Sequence, residues 1–414
     1  MIVLRRAATG ASRMGRLRVG QIAGGRRRVR QVGALAVMLP FALVAACQSS
    51  GSAAGNSDQA SAAAKITITP ATGTDDVRPD LPVKVQVANG KLQNVKVTAE
   101  KRPKVEGTMG PGNTTWQSKW TLSPKTEYTV TATAVNAENK AANATSTFTT
   151  LKPDNTFSAT SLGPNNDETV GAGMPIMLHF SSPISNRARV EKALEVKMSK
   201  QVEGAWRWID DSNIVYRPEK YWPKHEKVQV TGHFRGVRAA KNMYGNQNFH
   251  LKFQIKRKVI VKASTKTHQL KVYKDGKKIR QWPISAGRGG VYKYYTTSGI
   301  HLTMDRGNPV RMVSPGISKG QPGYYNELIN YAVRISNSGE YIHSMPSTVW
   351  AQGHSNVSHG CINSPPSDAE WFYSFADRGD VVIVTGTPRP LEWNNGWGYW
   401  QMPYKKWKKG SALH

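Results

Sequence analysis

Apolar and polar residues alternate in short segments along most of the chain after residue 64, which is the pattern of half-buried β-strands. The segment 128–135, with the sequence YTVTATAV, shows this alternation most clearly. Turns that contain Gly or Pro separate the segments. The grouping of the segments predicts one β-rich unit at 65–152 and a second at 153–256, with one short helix at 186–196 in the second unit.

Each of these two units places a Pro-containing loop before an alternating strand, at 122–135 and again at 216–234. We interpret the units as two tandem immunoglobulin-like β-sandwiches. Neither unit offers a cluster of catalytic residue types. We therefore expect them to space and present a third unit that carries the chemistry.

The third unit is predicted at 257–386 and is also rich in strands. A hairpin is expected to turn at Asp275-Gly276, because this dipeptide favours a type I′ turn. Ser367 and Glu370 form a capping-box pattern, which predicts that Ser367 caps the helix at 368–379. The fold class is therefore mainly β, with one or two helices in the third unit.

Two further segments of the third unit and its extension have less regular patterns. The stretch 305–330 is rich in Gly, Pro and Tyr and has little periodicity, which is typical of a loop or lid. The C-terminal extension at 387–414 contains four tryptophans. These could form a platform for carbohydrate, and packing against the preceding domain is the other interpretation. The tryptophans are Trp393, Trp397, Trp400 and Trp407.

The first 46 residues have the pattern of a signal peptide. Residues 1–30 carry nine arginines and no acidic residue, and an uncharged apolar run follows from Val32 to Ala46. The run ends in small residues that abut Cys47, as in a bacterial lipobox, although an ordinary cleavage site is the alternative. We predict an exported protein that is lipid-anchored through Cys47 to the outer face of the cell membrane. Residues 47–64 are small and polar and predict a flexible tether.

The chain is strongly basic, with 57 Lys and Arg against 27 Asp and Glu and a formal net charge of +30. Such a charge predicts a polyanionic partner. Because an exported protein rarely meets nucleic acid, we expect the partners to be anionic polymers of the cell envelope. Nucleic acid is excluded as a partner on the same ground.

Three interpretations compete for Cys361, which has no partner cysteine in the chain once Cys47 is acylated. A buried core cysteine is the first, but the flanking Ser358, Gly360 and Asn363 are poor core formers. A zinc site is the second, with ligands at His343, His354, His359 and Cys361. Their spacing, H-x10-H-x4-H-x-C, matches none of the usual paired-ligand patterns.

The third interpretation is a nucleophile, which needs a thiolate, an imidazole to accept its proton and backbone N–H groups for an oxyanion. His343 lies on a predicted strand and Cys361 follows a loop that could return beside it. Gly360 allows the close approach of backbone that an oxyanion hole requires. Each part of such a site therefore has a candidate residue.

The segment from His343 to Asn363 resembles a known catalytic signature. It contains His343, then 14 residues, then Ser358-His359-Gly360-Cys361 and Asn363. This pattern resembles the H-x14–17-[ST]-H-G-C-x-N signature of L,D-transpeptidases with a YkuD-type catalytic domain. The whole mature chain is similar to the mycobacterial lipoprotein members, which have two immunoglobulin-like domains, the catalytic domain and a Trp-rich extension.

The resemblance implies a catalytic role for five residues. Cys361 matches the nucleophile that attacks the carbonyl between the third and fourth residues of a peptidoglycan stem peptide. His343 matches the general base, and Ser344 matches the residue whose backbone carbonyl orients that imidazole. His359 and Gly360, together with Cys361, match the oxyanion-hole segment.

The resemblance also implies a set of substrate-binding residues. Asn363 matches a position near the substrate, and Ser338 and Gly339 match a stretch that lines the donor pocket. Tyr324 and Tyr325 both fit the position of a lid tyrosine that contacts substrate. One departure is Thr297, where many members have proline in a T-P-x-G stretch, and we expect it to alter a turn rather than the chemistry.

The expected activity is formation of 3→3 cross-links through a cysteine thioester, with release of D-Ala from a donor tetrapeptide and without cofactor or metal. Donor and acceptor stem peptides would be the substrates, and carbapenems would acylate the thiol. Two alternatives stay open. One is an L,D-carboxypeptidase, in which water replaces the acceptor amine, and the other is a non-catalytic wall-binding lipoprotein.

Overall fold

The computed structural model describes residues 62–314 and 316–413. The predicted signal peptide and Cys47 lie outside the described residues, together with most of the tether. Among the described residues no helix combines the length and the hydropathy needed to cross a membrane. Strands are the main elements of the described chain, which confirms the prediction of a mainly β fold.

Two four-stranded sheets between residues 65 and 150 share one hydrophobic core, and we call this pair the first sandwich. Its strands are β1 (Lys65–Thr69), β2 (Thr74–Val77), β3 (Lys84–Ala88), β4 (Lys91–Thr98), β5 (Gly107–Met109), β6 (Thr115–Ser118), β7 (Glu127–Val135) and β8 (Ala141–Thr150). The sheet orders are β1-β3-β6-β5 and β2-β8-β7-β4. Alternate residues of β7, from Tyr128 to Ala134, are buried, which confirms the strand predicted there.

The second sandwich spans residues 155–255 and has a separate core. Its elements are β9 (Asn155–Phe157), β10 (Ala159–Gly163), β11 (Glu168–Thr169), β12 (Ile176–Phe180), α1 (Arg187–Lys192), β13 (Leu194–Met198), β14 (Gly204–Trp208), β15 (Asn213–Pro218), β16 (Glu226–Gly232), β17 (Arg238–Ala240), β18 (Met243–Gly245) and β19 (Phe249–Ile255). The sheet orders are β10-β12-β15-β14, β11-β19-β16-β13 and β17-β18-β9. The domain boundaries at 152 and 256 stay predictions.

The helix predicted at 186–196 is shorter than expected. It ends at Lys192, and residues 194–198 form β13 instead. Val196 pairs with Val230 of β16, so a contact between distant parts of the chain replaces the local helical pattern. The prediction was therefore correct in position and wrong at its C-terminal end.

The third unit is built on two sheets and one hairpin. Its elements are β20 (Val259–Ser264), β21 (Gln269–Lys274), β22 (Lys277–Pro283), β23 (Gly299–Leu302), β24 (Arg306–Gly307), β25 (Val310–Val313), β26 (Asn326–Ile329), β27 (Ala332–Arg334), β28 (Tyr341–Ser344), β29 (Ile362–Ser364), α2 (Pro366–Phe375) and β30 (Val381–Thr385). The sheet orders are β22-β21-β20-β30-β23 and β24-β27-β28-β29. β25 and β26 pair with each other, so part of the stretch expected to be a loop is a hairpin.

The predicted turn of the third unit is confirmed, but the predicted helix cap is wrong. Asp275 and Gly276 have φ values of 52° and 89° and join β21 to β22 through a two-residue turn. Helix α2 begins at Pro366, and no side chain caps its N-terminus. Ser367 lies inside the helix, because Pro366 already has the φ angle that suits a first helical residue.

The Trp-rich extension packs against the second sandwich. It contains the short helix α3 (Tyr404–Lys408), and the Trp407 ring is fully buried in the core of that sandwich. The indole N–H groups of Trp407 and Trp400 donate to the carbonyls of Ala205 (2.9 Å) and Gly173 (2.8 Å). Of the two interpretations of the tryptophans, packing is therefore confirmed.

Candidate active site

Two adjacent parallel strands bring His343 and Cys361 to one cavity. His343 is on β28, where it pairs in register with Asn363 of β29, and Cys361 directly precedes β29. Both side chains line a cavity of about 170 Å³. Cys361 is partly exposed there, which does not fit the interpretation of a core cysteine. The loop after His343 thus returns the cysteine to its side, as the nucleophile interpretation requires.

The imidazole of His343 is buried and held in one orientation. Its Nδ1 lies 2.9 Å from the carbonyl oxygen of Ser344, and since that oxygen can only accept, Nδ1 carries the proton. Nε2 therefore has a free lone pair. Burial lowers the pKa of His343 to about 4, with the Ser344 hydrogen bond opposing the shift. The ring is a neutral proton acceptor at pH 7.

The thiol of Cys361 is protonated at neutral pH. Desolvation raises its pKa to about 12, the charge of Glu340 acts in the same direction, and the backbone N–H of Tyr341 opposes both. Its Sγ lies 3.6 Å from the carbonyl oxygen of Gly339, to which the thiol donates. In the resting site the pair is therefore a neutral thiol beside a neutral imidazole, not a thiolate with an imidazolium.

The backbone between Ser358 and Cys361 forms a locked turn. Ser358 Oγ donates to the carbonyl of Cys361 (2.6 Å) and accepts from the N–H of Gly360 (3.1 Å). Thr296 Oγ1 donates to the Gly360 carbonyl at 2.7 Å. Gly360 has a φ of 137°, and a Cβ there would meet only a side-chain carbon at 3.8 Å, so the conformation and not the space requires glycine.

This turn limits which N–H groups can receive an oxyanion. The N–H of Gly360, which belongs to the predicted oxyanion segment, already has an acceptor in Ser358. The backbone N–H groups of His359 and Cys361 donate no hydrogen bond to any described residue. They are the donors that the segment keeps available.

Of the two candidate lid tyrosines, Tyr325 lies at the cavity. Its ring centroid is 5.2 Å from that of His359, and burial raises the pKa of its hydroxyl. Tyr324 does not line this cavity, and its hydroxyl accepts from Asn326 at 3.5 Å. The hairpin also contributes Glu327 to the lining, a residue that the sequence did not single out.

Among the predicted substrate-binding residues, Gly339 contacts the thiol and Asn363 lines the cavity, whereas Ser338 does not line it. Gly339 has a φ of 88° and is the acceptor for the Cys361 thiol, as described above. Ser338 is held by Asn395 of the extension, whose amide accepts from the Ser338 N–H and donates to its Oγ, each at 3.0 Å. Asn363 is buried, lines the cavity and donates to Thr348 Oγ1 at 3.0 Å.

A buried carboxylate behind the thiol was missed in the sequence. Glu340 is 3% exposed and accepts from both the backbone N–H (2.6 Å) and the hydroxyl (2.7 Å) of Thr297. The signal was present, since Glu340 is the one acidic residue between Glu327 and Asp368. We expected Thr297, in place of proline, to alter only a turn. That the chemistry is unaffected stays a prediction, but Thr297 donates an N–H to Glu340 that proline would lack.

A second buried histidine of the third unit, His301, extends this network. Its Nε2 lies 2.9 Å from the carbonyl of Thr297, and its Nδ1 lies 3.2 Å from the carbonyl of Ile335. Thr297 is thereby fixed from two sides, by His301 and by Glu340. The network supports the segment that carries Gly339 and Tyr341, which are the backbone partners of the Cys361 sulfur.

Comparison with known proteins gives a consistent result along the chain. Residues 258–384 match the L,D-transpeptidase catalytic domain family (YkuD), and residues 74–238 match the bacterial Ig domain family (Big_10). L,D-transpeptidase 5 of Mycobacterium tuberculosis is 35% identical over 357 residues, which are 85% of this chain and 78% of that protein.

Two further known proteins are similar to this chain. L,D-transpeptidase 2 of Mycobacterium tuberculosis is 33% identical over 351 residues, which cover 84% of this chain and 85% of that protein. A solved structure of LD transpeptidase LdtMt1 in complex with imipenem has 29% identity and a TM-score of 0.48, covering 56% of this chain and 100% of that one.

Proposed function

The chain belongs to the L,D-transpeptidase family and is an acyltransferase of peptidoglycan cross-linking. From that premise we propose that it forms 3→3 cross-links through a thioester on Cys361. The observation that carries the proposal is that the thiol and the buried, neutral imidazole of His343 line one cavity, with Cys361 directly before the strand that pairs with the strand of His343.

In the first half of the reaction, Cys361 Sγ attacks the carbonyl between the third and fourth residues of the donor stem. The thiol proton passes to Nε2 of His343, and the oxyanion is received by the free N–H groups of His359 and Cys361. The C–N bond then breaks, the imidazolium gives its proton to the leaving amine, and D-Ala departs. The acyl group remains on sulfur as a thioester.

In the second half, a side-chain amine of the acceptor stem attacks the thioester carbonyl. His343 takes a proton from that amine and returns it to the leaving thiolate, so the enzyme is regenerated. The carbonyl of Ser344 stabilises the imidazolium that forms in each half, because it accepts from Nδ1–H in both charge states. Since the resting pair is neutral, proton transfer accompanies attack on a bound substrate.

The proposed substrate contacts surround the thiol. Ser338, Gly339 and Asn363 would bind the donor stem, and Tyr325 would close over it from the hairpin. The same thiol would attack the lactam carbonyl of a carbapenem, with cleavage of the ring C–N bond and transfer of the thiol proton to the ring nitrogen. The adduct would add the full mass of the drug to Cys361.

We also propose that the protein is exported and held to the outer face of the cell membrane by a lipid on Cys47. The basic n-region, the apolar run and the small residues before Cys47 support this proposal. Metabolic labelling with an alkyne fatty acid should mark the wild-type protein and leave a Cys47→Ala variant unmarked. Equal labelling of the two proteins would contradict a lipid anchor on Cys47.

Product analysis tests the transpeptidase assignment. Wild-type protein incubated with disaccharide-tetrapeptide should give dimers whose fragment masses place the bond between two third-position residues, and Cys361→Ala should give none. Tripeptides without dimers would instead identify an L,D-carboxypeptidase. Dimers from Cys361→Ala, or binding to sacculi without any product from the wild type, would contradict the thioester mechanism.

A further inference from the structure

A cleft between the first and second sandwiches lies outside the active-site cavity and has a distinct chemistry. Its volume is about 250 Å³. Its lining is contributed by both sandwiches and is rich in cationic and aromatic side chains, including Arg102, Lys104, Trp120, His233, Arg235 and His250. The reaction proposed above uses none of these residues.

Polar contacts connect the two sandwiches beside the cleft. The Asp80 carboxylate of the first sandwich is 1% exposed and accepts from Arg189 of α1 at 2.6 Å. Thr121 Oγ1 donates to the backbone carbonyl of Arg235 at 2.5 Å. A Cβ at Gly236 would lie 1.8 Å from a carbonyl oxygen of the first sandwich, which shows how closely the two backbones approach.

The charges in the cleft are almost entirely positive and unpaired. Arg102, Lys104 and Arg235 have no ion-pair partner anywhere in residues 62–314 and 316–413, and Glu106 is the one acidic residue of the lining. The Nε of Arg235 is buried without a hydrogen-bond partner among those residues. Since buried donors are ordinarily paired, this guanidinium lacks an acceptor that an anion would supply.

One wall of the cleft is aromatic. The ring of Trp120 stacks on the imidazole of His233, with centroids 3.6 Å apart and planes 10° apart. Burial lowers the pKa of His233, so the positive charge of the cleft is supplied at neutral pH by arginine and lysine. A flat wall beside these cations suits a ligand that combines ring faces with anionic groups.

We propose that this cleft binds an acidic polysaccharide, with its phosphate or carboxylate groups on Arg102, Lys104 and Arg235. The choice of a polysaccharide over other polyanions rests on the proposed function, because the enzyme works on a polymer that is embedded among envelope glycans. The anion site itself rests only on the contacts of the cleft. Bound polymer would hold the enzyme against the wall while the third unit acts on stem peptides.

The test compares two double variants of the full chain that change the net charge equally. R102E/K104E reverses two cations of the cleft, and K91E/K96E reverses two exposed lysines of β4 that do not line it. Binding of phosphorylated dextran and of oligogalacturonate is measured by calorimetry in the absence of stem peptide. Binding of neutral dextran and of a DNA duplex is measured in the same way for comparison.

The cleft variant should bind its polymer about tenfold or more weakly than the wild type, because two attractions become repulsions. The K91E/K96E control should bind within about twofold of the wild type, and added salt should weaken wild-type binding. The two polymers distinguish a phosphate ligand from a carboxylate ligand. Both variants should form dimers from soluble muropeptide at the wild-type rate. A negative result on polymer binding is therefore distinguishable from a failure of the catalytic proposal.

Three outcomes would overturn the inference. An equal loss of polymer affinity in both double variants would show that the net charge of the protein, and not a site in the cleft, attracts the polymer. Unchanged polymer binding by R102E/K104E would show that the cleft does not bind the polymer. Equal affinity for the DNA duplex, with the same loss in the cleft variant, would refute the assignment to polysaccharide.

Discussion

Alkylation of Cys361 tests the neutral resting pair most sharply. With its pKa raised to about 12 from 9.0, the thiol is ionised about a thousandfold less than an unstructured cysteine at pH 8. A more basic thiolate is also a better nucleophile. With a Brønsted slope of about 0.4–0.5, a pKa higher by three units raises the rate constant of the thiolate roughly 15- to 30-fold. Iodoacetamide should therefore react about 30- to 70-fold more slowly than with the unfolded chain.

The pH dependence of the alkylation rate tests the same prediction, and it does not depend on how easily iodoacetamide reaches the thiol. The rate should rise about tenfold for each pH unit between pH 6 and pH 10, without a plateau, because ionised thiol remains a minor species throughout. His343, whose pKa is about 4, stays neutral over this range, so His343→Gln should leave the profile unchanged. Protonation of the imidazole therefore contributes nothing to thiol reactivity above pH 6.

The assay follows modification of the tryptic peptide that contains Cys361, so that Cys47 does not contribute. The chain unfolded in urea is the reference for an unperturbed thiol. A plateau between pH 5 and pH 8 that disappears in His343→Gln would refute the reasoning. It would show that thiolate and imidazolium form a pair before any substrate binds.

Three other variants probe the site. His343→Gln should lower the rate of dimer formation by about 10²–10⁴, the usual contribution of a general base, as measured by chromatography of products. Glu340→Gln should speed alkylation of Cys361 severalfold at pH 8, because the negative charge that raises its pKa is removed; an unchanged rate would contradict this role. Asn395→Ala should raise KM for the donor about threefold to tenfold, since hydrogen bonds of about 0.5–1.5 kcal/mol are lost, whereas Asn394→Ala should not.

Much of the fold follows from local patterns in the sequence. The alternation at 128–135 appears as the half-buried strand β7, and the Asp275-Gly276 dipeptide appears as the two-residue turn. One error occurs where a distant partner decides the structure. Residues 194–196 were predicted as helix but pair with β16, and no local signal reports that pairing. The wrong helix cap has a local cause instead, because Pro366 begins α2 one residue before the expected cap.

The candidate site could be predicted only in part. The sequence predicted that the loop after His343 returns Cys361 beside it, and the strand that follows Cys361 pairs in parallel with the strand of His343. The hydrogen bond that occupies the Gly360 N–H depends on side-chain geometry and was not predictable. The support from Asn395 comes from 57 residues beyond Ser338, through the packing of the extension, which periodicity does not report.

The central claim is that Cys361 carries the acyl group, and intact mass after brief mixing with disaccharide-tetrapeptide tests it most directly. The wild type should gain the mass of the donor less that of D-Ala, the adduct should be released by hydroxylamine, and fragmentation should place it on Cys361. Cys361→Ala should gain nothing. An adduct of the same mass on Cys361→Ala, or cross-linking by a wild type that never carries an adduct on Cys361, would contradict the account.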